Sequence, residues 1–228
     1  MILSHKHKFI FLKTKKTAGT SIEIALSKIC GEEDIITPIS NKDEITRKEL
    51  GYRGPQNCLV PFQRYNSLDL FRCLRYQKRV EFYNHISAEE VKRYVGEEVW
   101  GNYYKFTFDR NPYDKVVSLY YYYGGDSTYE SFQEFIDSGA ISRLNSFDQY
   151  SINGIVAVDD IYRFESLSKA IDQINLKLKL KEPIEMPSKR AKGGMRKIKN
   201  YRELIDEHAR KQIDLVHARE FELLKYTY

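Results

Sequence analysis

Near the start of the chain stands Phe9-Ile10-Phe11-Leu12-Lys13-Thr14-Lys15-Lys16-Thr17-Ala18-Gly19-Thr20-Ser21, followed by Ile22-Glu23-Ile24-Ala25-Leu26. The pattern predicts a buried strand over about residues 8–13, a tight polar turn, and a helix over about residues 20–28. A turn of small residues that opens a helix binds anions well, because free backbone N–H groups and the positive end of the helix dipole converge there. The turn adds a mobile positive charge and hydroxyl donors: Lys16, Thr17, Thr20 and Ser21. We therefore expect a phosphate, or a group that resembles phosphate, at this turn.

The length and composition indicate one domain over residues 1–228 with an ordinary globular core. Lys and Arg exceed Asp and Glu by 37 to 32, a mild surplus that fits an anionic ligand and fits a solvated surface equally well. The three cysteines, Cys30, Cys58 and Cys73, are far apart and form no metal-ligand pattern. Free thiols indicate a reducing compartment, and neither a signal peptide nor a membrane span is visible, so we expect a cytoplasmic protein without a metal site.

Alternating strand and helix patterns follow along the chain. The interpretation is a strand at 79–85, a helix at 87–94, a strand at 103–109, helices at 111–124 and 129–137, a strand within 155–164, a helix at 166–176, a basic loop at 189–199 and a long helix at 201–224. Residues 31–80 hold several Gly, Pro and charged residues, which predicts an irregular insertion of loops and short helices. The alternation favours an α/β fold with a mostly parallel sheet. Ligands of such sheets bind at the carboxyl ends of the strands.

Two helix starts carry clear capping signals. Ser87 with Glu90 fits a capping box. Asn111 fits an N-cap that is followed by Pro112 at the first helical position, with Asp114 placed favourably for the helix dipole. The second start lies, like the turn at residues 16–21, directly after a predicted strand.

The first turn differs from the nucleotide-binding Walker A motif. That motif ends in Gly-Lys-Ser/Thr with another glycine four residues earlier. Here Lys16 comes before Gly19, and no glycine precedes Gly19 in the turn. A small-molecule kinase that uses ATP is therefore disfavoured, although it stays as an alternative enzyme class.

A second motif runs from Phe106 to Tyr120 and places Arg110 between a strand and a helix. Emerging at a strand end beside a helix N-terminus, Arg110 would offer a bidentate fork to a dianion. The alternative is that Arg110 is the ion-pair partner of Asp109 or Asp114, with Ser118 as an ordinary helix residue.

Both motifs resemble those of sulfotransferases that use 3′-phosphoadenosine 5′-phosphosulfate (PAPS). Residues 16–21 resemble the 5′-phosphosulfate loop of that family, with Lys15 where a proline is usual, and Arg110 with Ser118 resembles its 3′-phosphate site. The resemblance implies a P-loop-like, three-layer α/β/α fold, PAPS as cofactor and 3′,5′-ADP as product. It implies a cofactor site of Lys16, Thr17, Ala18, Gly19, Thr20, Ser21, Arg110 and Ser118. Lys16 would also stabilise charge on the bridging oxygen as 3′,5′-ADP leaves.

His85 lies between the two motifs, directly before the helix at 87–94. Residues 82–87 resemble the stretch of carbohydrate 2-O-sulfotransferases in which a histidine is the catalytic base. Those enzymes carry a second histidine two residues earlier, where this chain has Tyr83. The resemblance implies that His85 is the general base, and the alternative is a structural histidine.

The residues before His85 bear on the acceptor. Between residues 42 and 79 nine residues are basic and four are acidic, and five aromatic residues lie among them. The basic ones are Lys42, Arg47, Lys48, Arg53, Arg64, Arg72, Arg75, Lys78 and Arg79. Aromatic faces and arginine forks suit a polar or anionic sugar, so a saccharide hydroxyl is the expected acceptor, with a solvated surface as the alternative. A non-enzymatic nucleic-acid-binding module is a further alternative, disfavoured because the charges of the chain are dispersed among acids.

Overall fold

The computed structural model describes residues 1–187, 198 and 200–228. The predicted basic loop at 189–199 therefore lies, apart from residue 198, outside the described residues. No helix in the described ranges is long and apolar enough to cross a membrane.

A five-stranded sheet forms the centre of the fold. In chain order the strands are β1 (Ile2–Ser4), β2 (Phe9–Leu12), β3 (Ile35–Ile36), β4 (Tyr104–Asp109), β5 (Ser151–Ile152), β6 (Ile155–Val156) and β7 (Asp160–Arg163). The sheet order is β3-β1-β2-β4-β7, and β5 and β6 form a separate antiparallel pair. The β2–β4 and β4–β7 pairs are parallel, whereas β1 is antiparallel to both β2 and β3. Four of the five strands thus point the same way, which confirms the predicted mostly parallel sheet.

Helices surround this sheet within the described part of the chain. They are α1 (Gly19–Ser27), α2 (Asn41–Glu49), α3 (Ser67–Tyr76), α4 (Ala88–Val95), α5 (Glu97–Asn102), α6 (Pro112–Tyr122), α7 (Phe132–Asp137), α8 (Phe147–Tyr150), α9 (Leu167–Lys177), α10 (Glu207–Val216) and α11 (Ala218–Leu224). Short 3-10 helices lie at Phe62–Arg64, Gly125–Ser127, Ala140–Leu144, Phe164–Ser166 and Tyr201–Glu203.

The strand pattern explains the layers. Successive side chains of a strand point to opposite faces. Phe9 and Phe11 of β2 pack in one cluster with residues of α1 and α9, whereas Ile10 and Leu12 pack in another with residues of α4 and α5. Both faces of the sheet are therefore covered by helices, which gives the predicted three-layer α/β/α fold.

Both predicted N-cap residues are in place, but the capping box at Ser87 is not reciprocal, because the Glu90 carboxylate accepts from the Ser87 hydroxyl at 3.0 Å and not from its backbone N–H. The Ser87 hydroxyl accepts a hydrogen bond from the backbone N–H of Glu90 at 3.2 Å, and α4 begins at the next residue. The Asn111 side chain accepts from the N–H of Tyr113 at 3.0 Å, and Pro112 is the first residue of α6. These two caps fix where α4 and α6 begin, at Ala88, three residues after His85, and at Pro112, two residues after Arg110.

Two secondary-structure predictions were wrong. Residues 79–85 form no strand, because their pairing with residues 58–60 is limited to an isolated bridge between Glu81 and Leu59. The predicted helix at 201–224 is a 3-10 turn followed by α10 and α11, which meet at His217. At His217 the backbone leaves the helical region, and the buried imidazole lies 3.4 Å from the carboxylate of Glu220.

Candidate active site

The three parallel strands end at one edge of the sheet, and a cavity of about 1070 Å³ lies there. Its walls include the residues that follow each strand: Lys13 after β2, Arg110 after β4 and Phe164 after β7. The cavity brings together all but one of the residues expected from the sequence. Those that line it are Lys16, Ala18, Gly19, Thr20, Ser21, His85, Arg110 and Ser118.

The loop between β2 and α1 has the backbone of an anion cradle. Lys16 and Ala18 adopt left-handed conformations, with φ of 63° and 58°. Alternating left-handed residues turn successive N–H groups toward one point. No acidic residue lies in the first turn of α1, so the positive end of its dipole is not neutralised there.

Gly19 is needed at the first position of α1 because the loop passes close to Lys13. A Cβ atom on Gly19 would lie 2.6 Å from the side-chain Cγ of Lys13. That separation is too short for any side chain, so the close approach of the loop to Lys13 requires glycine.

Thr17 is the expected site residue that does not line the cavity. Its hydroxyl is buried and lies 2.9 Å from the hydroxyl of Thr14, which also donates to the carbonyl of Phe108. The two threonines therefore tie the loop to β4, and their hydroxyl groups lie inside the loop.

Lys13 is buried and holds a second charge beneath the loop. Its Nζ donates to Glu23 Oε2 at 2.5 Å and to Asn84 Oδ1 at 3.3 Å. Burial would raise the pKa of Glu23, but the positive charges of the Met1 amine and of Lys13 outweigh it and hold that pKa below its usual value. The ion pair with Glu23 thus holds the charged Lys13 side chain in the wall of the cavity.

Arg110 is held in place from three sides. Its Nε donates to Asp114 Oδ2 at 2.7 Å, its Nη1 donates to the carbonyl of Lys16 at 3.1 Å, and its guanidinium lies 4.4 Å from the ring centre of Phe164. The ion pair with Asp114 named as an alternative is therefore present. It does not remove Arg110 from the site, because the guanidinium still lines the cavity and connects the two motifs.

Tyrosine rings and basic groups form a wall of the cavity. The Nζ of Lys16 lies 4.4 Å from the ring centre of Tyr122, and Tyr121, Tyr123 and Arg143 line the same wall. The Nζ of Lys15, which stands where the family has proline, donates to the carbonyl of Arg143 at 2.9 Å.

His85 reaches the cavity from a left-handed backbone with φ of 62°. Its Nδ1 lies 2.9 Å from the carbonyl oxygen of Lys13, which also accepts a hydrogen bond from Gln149. Because a carbonyl oxygen only accepts, Nδ1 carries the proton and Nε2 presents a lone pair. Burial, followed by the charge of Lys13, lowers the pKa of His85 to about 4, so the ring is neutral at pH 7.

The basic residues between positions 42 and 79 do not line this cavity. Three of them, Arg72, Lys78 and Arg79, line a separate cavity of about 410 Å³. Of residues 31–80, the segment at Thr37 and Pro38 comes near His85, since both contact the side chain of Asn84.

Sequence reasoning missed Lys13, Glu23 and Asn84. One signal was available: Glu23 is a charged residue between Ile22 and Ile24 in an apolar helix, and a buried carboxylate needs a cationic partner. The identity of that partner depends on tertiary packing. Within the described ranges, no group of His, Cys, Asp and Glu is arranged to hold a metal ion.

Comparison with known proteins extends these findings. The crystal structure of mouse sulfotransferase SULT7A1 complexed with PAP is similar to this chain, with a TM-score of 0.50 and 12% identity. The match covers 96% of this chain and 86% of that one, and it supports the fold. An uncharacterized protein of Archaeoglobus fulgidus is 36% identical over 101 residues, 42% of this chain and 84% of that protein. The sequence model of the sulfotransferase family matches residues 1–227. The chain therefore belongs to the sulfotransferase family.

Proposed function

We propose that this protein transfers the sulfuryl group of PAPS to a saccharide hydroxyl, with His85 as general base. The observation that carries the proposal is the ring of His85. It presents an unprotonated Nε2 to a cavity that also contains the phosphate loop and Arg110. Membership in the sulfotransferase family makes PAPS the sulfuryl donor and 3′,5′-ADP the product.

The loop before α1 fits the 5′ end of such a nucleotide. The left-handed residues Lys16 and Ala18 and the N-terminus of α1 provide N–H donors, and the hydroxyl-bearing Thr20 and Ser21 line the same space. Thr17 has a supporting role in this assignment, since its hydroxyl bonds within the loop. A phosphosulfate is anionic over its whole length, so several donors that converge on one point suit it.

Arg110 and Ser118 fit the 3′-phosphate. Arg110 is oriented by Asp114 and Phe164, and Ser118 lies two helical turns further along α6 on the cavity wall. A positioned guanidinium recognises a phosphate by its fork geometry as well as by its charge. This pair would distinguish nucleotides that carry a 3′-phosphate from those that do not.

The chemical step requires a proton acceptor and a stabiliser of the leaving group. His85 Nε2 takes the proton of the acceptor hydroxyl as the new oxygen–sulfur bond forms. Lys16 stabilises the negative charge that develops on the bridging oxygen as the donor's sulfur–oxygen bond breaks. The contact of His85 with the Lys13 carbonyl keeps the proton on Nδ1, so that Nε2 is the nitrogen that accepts a proton.

We assign the acceptor to the wall of the cavity that is polar and aromatic. Tyr122, Tyr123 and Arg143 line this wall, and Pro38 contacts Asn84, directly before His85. Sugars are bound by aromatic faces and by charged hydrogen-bond donors, so these groups favour a saccharide over an apolar phenol. Within residues 31–80, an acceptor role is proposed for the exposed Pro38, whose carbonyl accepts a hydrogen bond from Asn84.

A transfer assay tests the proposal. Radiolabelled PAPS is incubated with the protein and a panel of saccharides, phenols and lipids, and labelled products are separated. Transfer to saccharides that is lost in His85→Ala supports the proposal. Transfer to phenols alone contradicts the acceptor class and leaves sulfuryl transfer intact. Failure of calorimetry to detect binding of 3′,5′-ADP would contradict the cofactor site itself.

A further inference from the structure

Helix α3 turns its apolar side chains toward solvent. Leu74 is 82% exposed and Phe71 is 63% exposed, and Leu68 and Leu70 are about half exposed. The buried residue of this helix is the charged Asp69. A helix on a globular protein normally places its apolar side against the core. The orientation of α3 is the reverse, so its apolar side is available to something outside this chain.

The inverted orientation has a structural cause. Asp69 completes a capping box with Asn66 at the start of α3, and its carboxylate also pairs with Arg93 of α4. This buried anchor holds one side of α3 against the protein. Leu70 and Leu74 are four residues apart, and Phe71 lies beside them, so the three form a ridge on the side away from Asp69.

The surface around the ridge is basic. Five basic residues lie between positions 62 and 79, and all are exposed: Arg64, Arg72, Arg75, Lys78 and Arg79. Asp69 is the one acid in that range, and it is paired. The cavity of about 410 Å³ lined by Arg72, Lys78 and Arg79 lies at the end of the same helix. An apolar ridge is thus flanked by uncompensated positive charge.

We propose that α3 docks this protein on an anionic phospholipid bilayer. The ridge of Leu70, Phe71 and Leu74 would enter the region between headgroups and acyl chains, and the basic residues would contact anionic headgroups. The cavity beside Lys78 and Arg79 has room for a phosphate headgroup. An apolar face bordered by lysine and arginine is the arrangement with which interfacial helices bind membranes.

Charge favours a bilayer over the other candidate occupants. A second copy of this chain would bring two basic patches together, which is unfavourable. A nucleic acid would neutralise the basic residues but would leave Phe71 and Leu74 in water, since its surface is dominated by phosphate. An anionic bilayer satisfies both the charge and the apolar ridge.

The proposal is independent of the active site. Residues 67–76 do not line the cavity that contains His85, so substitutions on α3 leave the proposed nucleotide contacts unchanged. Because Leu74 and Phe71 are mostly exposed, their replacement by glutamine removes little packing.

Vesicle sedimentation of the full chain tests docking. Vesicles of phosphatidylcholine alone are compared with vesicles that contain about 30% phosphatidylglycerol, and free and bound protein are measured. We expect a partition coefficient at least about tenfold higher on the anionic vesicles, and a steep decrease at high salt, because exposed charges are screened. Equal binding to both compositions, or no binding to either, would overturn the proposal.

Matched variants locate the contact. Phe71→Gln with Leu74→Gln should lower the partition coefficient about tenfold or more, whereas Leu176→Gln with Leu215→Gln, equally exposed on α9 and α10, should not. Arg72→Glu with Arg75→Glu should abolish anionic selectivity, whereas Lys211→Glu with Arg219→Glu should retain most of it.

Two further outcomes would assign the ridge to another occupant. A dimer in analytical ultracentrifugation that Leu74→Gln dissociates, without vesicle binding, would show that a second copy covers α3. Tight binding to RNA that depends on Arg72 and Arg75 but not on Phe71 would show a nucleic-acid surface. Either result overturns the bilayer proposal.

Discussion

Two groups of basic residues in this protein differ in how they are held. In the cavity, Lys13 pairs with Glu23, Arg110 pairs with Asp114, and Lys16 lies over the ring of Tyr122. Around α3, by contrast, the basic side chains are exposed and surround an apolar ridge. Charges fixed by partners recognise a ligand of defined shape, whereas exposed and mobile charges attract any surface of opposite sign.

The largest loss of activity is expected from substitution of His85, which is uncharged at neutral pH. His85→Ala should lower kcat by about 10²- to 10⁴-fold, the usual contribution of a positioned base. His85→Gln should be similarly inactive, since glutamine accepts no proton. His208→Ala, at an exposed histidine paired with Asp137, serves as the control.

Binding measurements complete this test. Both His85 variants should retain calorimetric affinity for 3′,5′-ADP, because the proposed base would contact the acceptor and not the nucleotide. Substantial turnover in either variant would return His85 to a structural role.

Lys16→Ala should come next, with a loss of about 10²- to 10³-fold in kcat and a smaller change in nucleotide affinity. In the proposed role the Lys16 amine acts on charge that develops in the transition state, so its removal should affect the rate more than binding. Lys28→Ala, at an exposed lysine that follows α1, is the matched control. A variant that loses affinity at an unchanged maximal rate would make Lys16 a binding residue only.

The pKa of His85 distinguishes a buried, hydrogen-bonded imidazole from an exposed one. Imidazole NMR of the ligand-free protein should give a pKa near 4 for His85 and a neutral ring protonated on Nδ1 at pH 7. A base is competent above its pKa, so the lowered value extends the competent range toward acid from the usual ~6.5. Bound 3′,5′-ADP is anionic and should raise the pKa. A pKa near 6.5 in the ligand-free protein would contradict the conclusion that burial and the charge of Lys13 lower the pKa of His85.

These expectations show which parts of the site the sequence could predict. The positions of Arg110 and of the loop at residues 16–21 at the cavity were predictable, with the exception of Thr17, because each lies beside a strand end and a helix start and such local patterns survive packing. The location of the site at the carboxyl ends of the strands was predictable from the alternation of strands and helices. Lys13–Glu23 was not predictable, because the pairing depends on α1 packing against the sheet so that the carboxylate is buried.

The region before His85 was the least predictable. Its basic and aromatic composition suggested an acceptor surface, yet residues 42–79 place none of their nine basic residues on the main cavity. For Arg72 and Arg75 this follows from the orientation of α3, which is anchored by the contact between Asp69 and Arg93. A pattern of apolar residues indicates a helix and one apolar side, but a single buried ion pair decides which way that side points.

Arg110→Ala should weaken binding of 3′,5′-ADP by about 10- to 150-fold, the value of a charge-assisted hydrogen bond of ~1.5–3 kcal/mol, and should leave binding of ADP nearly unchanged. Arg110→Lys keeps the charge but loses the fork, so it should recover part of the affinity and little of the discrimination. Calorimetry with both nucleotides measures this ratio, and Arg219→Ala on exposed α11 is the control. If the ratio of the affinities for 3′,5′-ADP and ADP is unchanged in Arg110→Ala, Arg110 does not bind the 3′-phosphate.

The smallest effect is expected for a substitution on α3, where an exposed side chain should contribute little to the free energy of unfolding. Leu74→Gln should change the free energy of unfolding by less than about 0.5 kcal/mol, because the side chain is 82% exposed. Leu26→Ala in the buried face of α1 should cost about 2–5 kcal/mol, since it leaves a cavity. Denaturant titration of both variants measures the difference. A loss of more than about 2 kcal/mol for Leu74→Gln would mean that the ridge packs within this chain, so that its apolar side chains stabilise the fold and are not available to a bilayer.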